Sequence, residues 1–139
     1  MGLTTAIFLP MIAHVALVYG LYALLLRRRI AMVKAGKADI ASFRELRDEP
    51  AESRMVRNNL ANQFELPVLF HICCIAMFIA EADSEIANIL AWLFVASRYV
   101  HAYVHVTSNR LRWRQRAFMA GYGLLGLMWL WLALWIVMT

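Results

Sequence analysis

Residues 4–29 read TTAIFLPMIAHVALVYGLYALLLRRR, an apolar run from Thr4 to Leu26 that stops at Arg27-Arg28-Arg29. Such a run is about the 20 residues that a helix needs to cross a hydrocarbon core of roughly 30 Å. Three similar runs follow, over about residues 61–80, 86–106 and 117–138. Inside a bilayer no water pairs the backbone, so runs of this length must be helices; strands of a membrane barrel are half as long and alternate. The expected fold is all-α, an antiparallel, up-down, four-helix membrane bundle forming a single domain over residues 1–139, with a cytoplasmic loop at 27–53.

Composition agrees. Of 139 residues 63% are hydrophobic and 17% charged, against roughly 45–50% and about 25% in soluble domains. These values exclude a disordered chain and a disulfide scaffold, and they argue against a soluble enzyme. Nine of the 14 Lys and Arg lie between Arg27 and Arg57, and Arg110, Arg112, Arg114 and Arg116 lie between the third and fourth runs. The turn between the second and third carries Glu81, Asp83 and Glu85 instead. The positive-inside bias therefore puts the first and third connections in the cytoplasm and both termini outside. The net charge of +5 then reflects topology, and no nucleic-acid partner is expected. The first run has no basic segment before it and is too long for a cleaved signal. Ala6 stands where a myristoylation pattern at Met1-Gly2 wants Ser or Thr, so no lipid anchor is expected.

Within Lys34–Glu52 a short helix is expected around Ile40 to Leu46, and from Ala51 a helix that continues into the second span. Cys73 and Cys74 are adjacent within a span. Their expected role is packing, and no residue spacing resembles a metal site. Trp113, Tyr122 and Trp135 fit interfacial belts. Trp129 and Trp131 are expected to face lipid or to pack.

Function must come from polar residues where lipid makes them costly, about 2.5–3.5 kcal/mol each on insertion scales. On the second span Arg54, Asn58, Asn62 and Glu65 fall within an arc of about 80° at 100° per residue. Pro67 should kink the helix just above Glu65, since it cannot donate to the Gln63 carbonyl. On the third span Arg98, His101, His105 and Asn109 share one face. Arg98 lies deep and requires an anion, and Glu65 is the only carboxylate set within a span, so an Arg98–Glu65 pair that merely joins helices is one reading. His14 and His71 stand alone on their spans and are read as hydrogen-bonded interior residues. Both stripes open toward the Arg-rich side and describe a cationic, amide-rich cavity for a small anionic ligand, shielded by other helices of this chain or a neighbour. A transporter relay through Arg98, His101 and His105 would need polar residues at the outer ends of the spans, which are almost wholly apolar.

The run from Arg54 to Pro67, with Asn62-x-x-Glu65-x-Pro67 after a basic start, resembles the MAPEG family, the membrane-associated proteins of eicosanoid and glutathione metabolism. Arg98-x-x-His101-x-x-x-His105, followed by Arg114, looks similar too. The resemblance spans the whole chain. It implies a homotrimer with glutathione bound between subunits, acting as a transferase or peroxidase on a lipophilic electrophile or lipid hydroperoxide. It further implies that Asn62 and Glu65 hold the tripeptide's backbone and amino group, with Arg54 and Asn58 on the same stripe. Arg98 would support Glu65 or a ligand carboxylate, His101 and His105 would line the face, and Arg27 or Arg28 would reach a carboxylate. Arg114 would lie nearest the thiol, where a guanidinium favours the attacking thiolate. The sequence departs from the family pattern in its short Glu65-to-Pro67 spacing, in His105 where relatives often have Tyr, and in Gln115 where some have Ser. These departures keep open a non-catalytic, ligand- or lipid-binding scaffold of the same fold. The basic loops suit a bacterial inner membrane or an endoplasmic-reticulum membrane, and the bacterial location is favoured.

Overall fold

A computed structural model describes residues 5–139; the start of the first span at Thr4 and the Met1-Gly2 pair lie outside them. A 3-10 turn at Thr5–Ile7 leads into α1 (Phe8–Lys34), followed by α2 (Ile40–Glu45), α3 (Ala51–Asn62), α4 (Leu66–Ile79), α5 (Glu85–Val106) and α6 (Leu111–Met138). No strand occurs among the described residues. Four helical stretches are long and apolar enough to span a membrane: Thr5–Lys34, Ala51–Ile79, Glu85–Val106 and Leu111–Met138. The chain is therefore an all-α, multi-pass membrane protein.

The first helix continues past Leu26 to Lys34, because arginines are good helix formers and nothing there breaks the backbone. It ends at Ala35, before Gly36, which sits at a φ of +69° that favours glycine. The short α2 is started by Asp39, whose carboxylate accepts from Ser42 N–H at 2.7 Å while Ser42 Oγ accepts from Asp39 N–H at 3.4 Å. In the same way Ser84 Oγ accepts from Ala87 N–H at 3.2 Å and opens α5.

The second span is interrupted. Helix α3 stops at Asn62 and α4 restarts at Leu66, with Pro67 in its first turn. The expected kink above Glu65 is thus a full break just before it. Pro67 tolerates a first-turn position, where its missing N–H has no partner to lose. The residues ahead of it leave the helical path, and Glu65 has φ −100° and ψ −106°.

Helices α5 and α6 pack most closely, and α1 lies against α3 and α5. Two apolar clusters form the core. One, far from the arginines, joins Phe70, Cys73, Met77, Phe94, Leu125 and Met128. The other, at the basic end, joins Leu21, Leu25, Val56, Leu60 and Val106. On three of the helices buried polar side chains lie near the middle of the bundle: His14 on α1, Asn59 and Gln63 at the α3 break, and Arg98, His101 and His105 on α5. Cys73 and Cys74 are buried and free. Trp131 and Trp135 donate their indole N–H to Ala82 O and Ala80 O, each at 3.0 Å, which closes the turn between α4 and α5.

At the basic end the Glu49 carboxylate, 1% exposed, meets Arg29 Nε at 3.0 Å and Arg57 Nη1 at 2.9 Å. The Arg29 contact is a hydrogen bond; the Arg57 contact is an ion pair whose angle misses hydrogen-bond geometry. Together they tie the connecting loop to α1 and α3.

Candidate functional site

A cavity of about 770 Å³ opens at the basic end between α3, α5 and the start of α6. Asn58, Asn62, His101, His105, Arg114 and Gln115 supply its polar lining. Leu111, Phe118 and Met119 supply an apolar wall. Five of the residues singled out from sequence thus come together: Asn58, Asn62, His101, His105 and Arg114. The helical spacing of Asn58 and Asn62 puts both on one face of α3, and that of His101 and His105 puts both on one face of α5. Arg114 is half-buried in the first turn of α6, where its Nη1 donates to Asn109 Oδ1 at 2.7 Å. Asn109, at φ +48°, makes the turn that aims α6 back into the bundle.

The other expected residues lie elsewhere. Arg54 is exposed and its Nη1 donates to Glu49 O at 3.4 Å. Arg28 is spent on structure, donating from Nη1 to Glu52 O at 2.8 Å and from Nη2 to Val106 O at 2.7 Å, which staples α1 to the ends of α3 and α5. Arg27 is exposed. Glu65 is also exposed, because the break at residues 63–65 takes it off the register that would have continued the stripe of Asn58 and Asn62.

That break bears directly on Arg98. The side chain is fully buried, and none of its three guanidinium nitrogens has a hydrogen-bond partner. Its guanidinium carbon lies 5.9 Å from the centre of the Phe118 ring. No Arg98–Glu65 contact of ion-pair length forms among the described residues, although the Glu65 charge still acts on the buried guanidinium.

His14 and His71, taken from sequence as separate interior residues, are bonded to each other. His14 Nδ1 lies 3.0 Å from His71 Nε2, and His14 Nε2 lies 3.0 Å from Gln63 Oε1. The Gln63 side-chain amide donates to both Asn59 O and Asn59 Oδ1 at 3.3 Å. Asn59 Nδ2 in turn lies 3.1 Å from His105 Nδ1. Sequence reading missed Asn59 and Gln63, since they face away from the stripe of Asn58 and Asn62. The paired amides Asn58-Asn59 and Asn62-Gln63 were the available signal, because adjacent residues on a helix point to different sides.

His14, Gln63 and His71 also border a second, largely apolar cavity of about 600 Å³, walled by Val15, Val18, Tyr19, Tyr22, Phe64, Val68, Ile72 and Ile75. The site therefore consists of a cationic, amide-rich cavity joined through buried polar side chains to an apolar groove.

Comparison with known proteins agrees with this architecture. Neither the curated proteins nor the solved structures contain a match. The family model described as "MAPEG family" matches residues 7–134, which takes in every residue lining the cavity and all but the outermost few residues of the first and fourth spans. The chain belongs to the MAPEG family.

Proposed function

We propose that this protein is a membrane-bound, glutathione-dependent transferase or peroxidase that activates the glutathione thiol against lipophilic electrophiles. The observation that carries this reading is the cavity itself. One guanidinium, two imidazoles and three side-chain amides converge on a volume within the range of small-molecule sites, about 300–1,000 Å³. Those groups fit a flexible anionic tripeptide with several amide and carboxylate atoms. Arg114 supplies a positive charge that favours the thiolate over the thiol. Asn62 and Asn58 offer amide groups to the peptide backbone.

In the transferase case the thiolate sulfur forms a bond to an electrophilic carbon, whose leaving group departs with the bonding pair. In the peroxidase case the sulfur attacks a hydroperoxide oxygen, the O–O bond breaks and the alcohol leaves. A second glutathione then yields the disulfide and water. The electrophile or lipid hydroperoxide would arrive from the bilayer, and holding both partners at the interface lowers the entropic part of the barrier.

A homotrimer is part of the proposal. Arg54, Asn58 and Glu65 are exposed on the second span of the single chain, and polar side chains there are costly in lipid. A neighbouring copy would cover them and let Glu65 join the ligand site. The favoured setting is a bacterial inner membrane with the basic connections in the cytoplasm and both termini outside.

A second reading, a non-catalytic binding scaffold, has one observation in its favour: no Ser, Thr or Tyr hydroxyl lines the cationic cavity. The ultraviolet difference spectrum of glutathione added to the purified protein in detergent separates the two. The enzyme reading expects a saturable thiolate band that Arg114→Ala abolishes while assembly is retained. Calorimetric binding with no thiolate band would favour the scaffold, and an unchanged band in Arg114→Ala would remove Arg114 from its role.

A further inference from the structure

Five side chains, all buried except the half-buried His71, link the middle of α4 to the cationic cavity: His71, His14, Gln63, Asn59 and His105. The direction of every bond in this chain follows from one fixed point. The backbone carbonyl of Asn59 can only accept, so the Gln63 atom 3.3 Å from it must be the NH2 group. The helix break sets this up. Gln63 N–H turns to Leu60 O at 3.1 Å, and the Gln63 side chain donates to the Asn59 carbonyl in its place.

With the Gln63 amide so oriented, its oxygen faces His14 Nε2, which must carry a proton. His14 is 2% exposed and no carboxylate hydrogen-bonds or ion-pairs with it, and a buried imidazolium without an anion is costly. Its ring is therefore neutral, Nδ1 is unprotonated, and His71 Nε2–H donates to it. In the other direction Gln63 NH2 also donates to Asn59 Oδ1 at 3.3 Å. Asn59 must then present its own NH2 to His105 Nδ1 at 3.1 Å. That nitrogen accepts, so the proton of a neutral His105 sits on Nε2. No hydrogen bond to His105 Nε2 occurs among the described residues, and the ring lines the cavity beside Arg114.

We propose that the hydrogen-bonded chain His71–His14–Gln63–Asn59 holds His105 in its Nε2–H tautomer and makes it a fixed hydrogen-bond donor to the anionic ligand atom in the cationic cavity. Identifying that atom as the glutathione sulfur rests on the function proposed above. His105 then supplies the donor that the absent hydroxyls would otherwise provide. Arg114 contributes charge and His105 contributes direction. Asn59 and Gln63 are positioning residues, because they act only through the imidazole.

The test begins with the whole protein carrying 15N-labelled histidine, in detergent micelles at neutral pH. Nitrogen resonances of protonated and unprotonated ring positions are well separated, and His105→Gln identifies the signals of residue 105. The expected result is a protonated Nε2 and an unprotonated Nδ1 at His105, with protonated Nε2 also at His14 and His71. A His105 ring protonated on Nδ1 would overturn the proposal. Asn59→Asp is the informative variant, since exchanging Asn and Asp beside a histidine nitrogen reverses the tautomer with little change in geometry. It should move the proton to Nδ1 and lower the ratio of bound thiolate to bound thiol, read from the band across a pH series at saturating glutathione, by about tenfold or more, the loss expected for one hydrogen bond to a charged atom. An unchanged band with a reversed tautomer would overturn the donor role. Should Asn59→Asp fail to fold, the tautomer of the natural protein still decides the orientation of the chain. The expected tautomer without any binding of glutathione would sustain the fixed donor and refute the function, whereas thiolate binding with the wrong tautomer would do the reverse.

Discussion

Helices α5 and α6 both line the cationic cavity, and Gly121 is a point of close approach between them. A Cβ built on Gly121 would lie 2.7 Å from Ser97 Oγ, with Phe94 ring carbons at 3.7 and 3.8 Å. Ser97 Oγ is held there by donating to Phe94 O at 2.6 Å. Two opposing terms act on Gly121→Ala. A helix-interior alanine gains about 1 kcal/mol over glycine. To make room Ser97 must rotate and give up its bond, which costs about 0.5–1.5 kcal/mol. The single variant should therefore sit near neutrality. In a Ser97→Ala background the obstacle is gone, and Gly121→Ala should stabilise by about 1 kcal/mol. The coupling between the two sites is then about 1 kcal/mol, measurable by reversible unfolding of the four proteins in mixed micelles followed by circular dichroism. Effects that add to within about 0.3 kcal/mol would refute the close approach. Gly121→Leu has no such escape, because Phe94 closes the remaining side. It should cost about 1–3 kcal/mol and force α6 away from α5, separating Arg114 from His101 and His105.

Two further outcomes follow from the basic end. Arg27→Ala should weaken glutathione binding without loss of stability, while Arg28→Ala should lower the unfolding midpoint through its two lost carbonyl bonds; calorimetry and thermal unfolding on both variants would expose the opposite assignment. The Asp39 carboxyl is held below the usual carboxylate range, chiefly by its bonds from the Ser42 hydroxyl and then from the Ser42 backbone N–H. A group whose folded value is depressed stabilises fully above its unfolded value and loses that contribution as pH falls through the folded one. The protection factors of the Ile40–Glu45 amides, taken against the intrinsic exchange rate at each pH, should accordingly fall on acidification below the ordinary carboxylate range, and Asp39→Ala should show the low protection at every pH.

The break between α3 and α4 limits how far helical arithmetic places the expected residues. Asn58, Asn62, His101 and His105 lie on uninterrupted helix, where 100° per residue predicts which side chains share a face. Glu65 lies beyond the break, so the same arithmetic misplaces it, and with it the expected partner of Arg98. Arg28 looked equivalent to Arg27 in a run of three arginines. Only the nearby start of α3 and end of α5, whose Glu52 and Val106 carbonyls accept from Arg28, distinguish them.

The amino-acid sequence by itself determined the membrane setting, the four spans and the basic end, because the burial of apolar side chains and the cost of charge in lipid depend on composition along the chain. It also determined the family, through residues close together on two helices. The bonding of His14 to His71, and of Asn59 to His105, was decided only by the tertiary structure. These partners sit 57 and 46 residues apart, on different helices whose relative rotation is set by packing, and no local periodicity carries that information. The polarity of the chain that links them depends on a single carbonyl freed by the helix break.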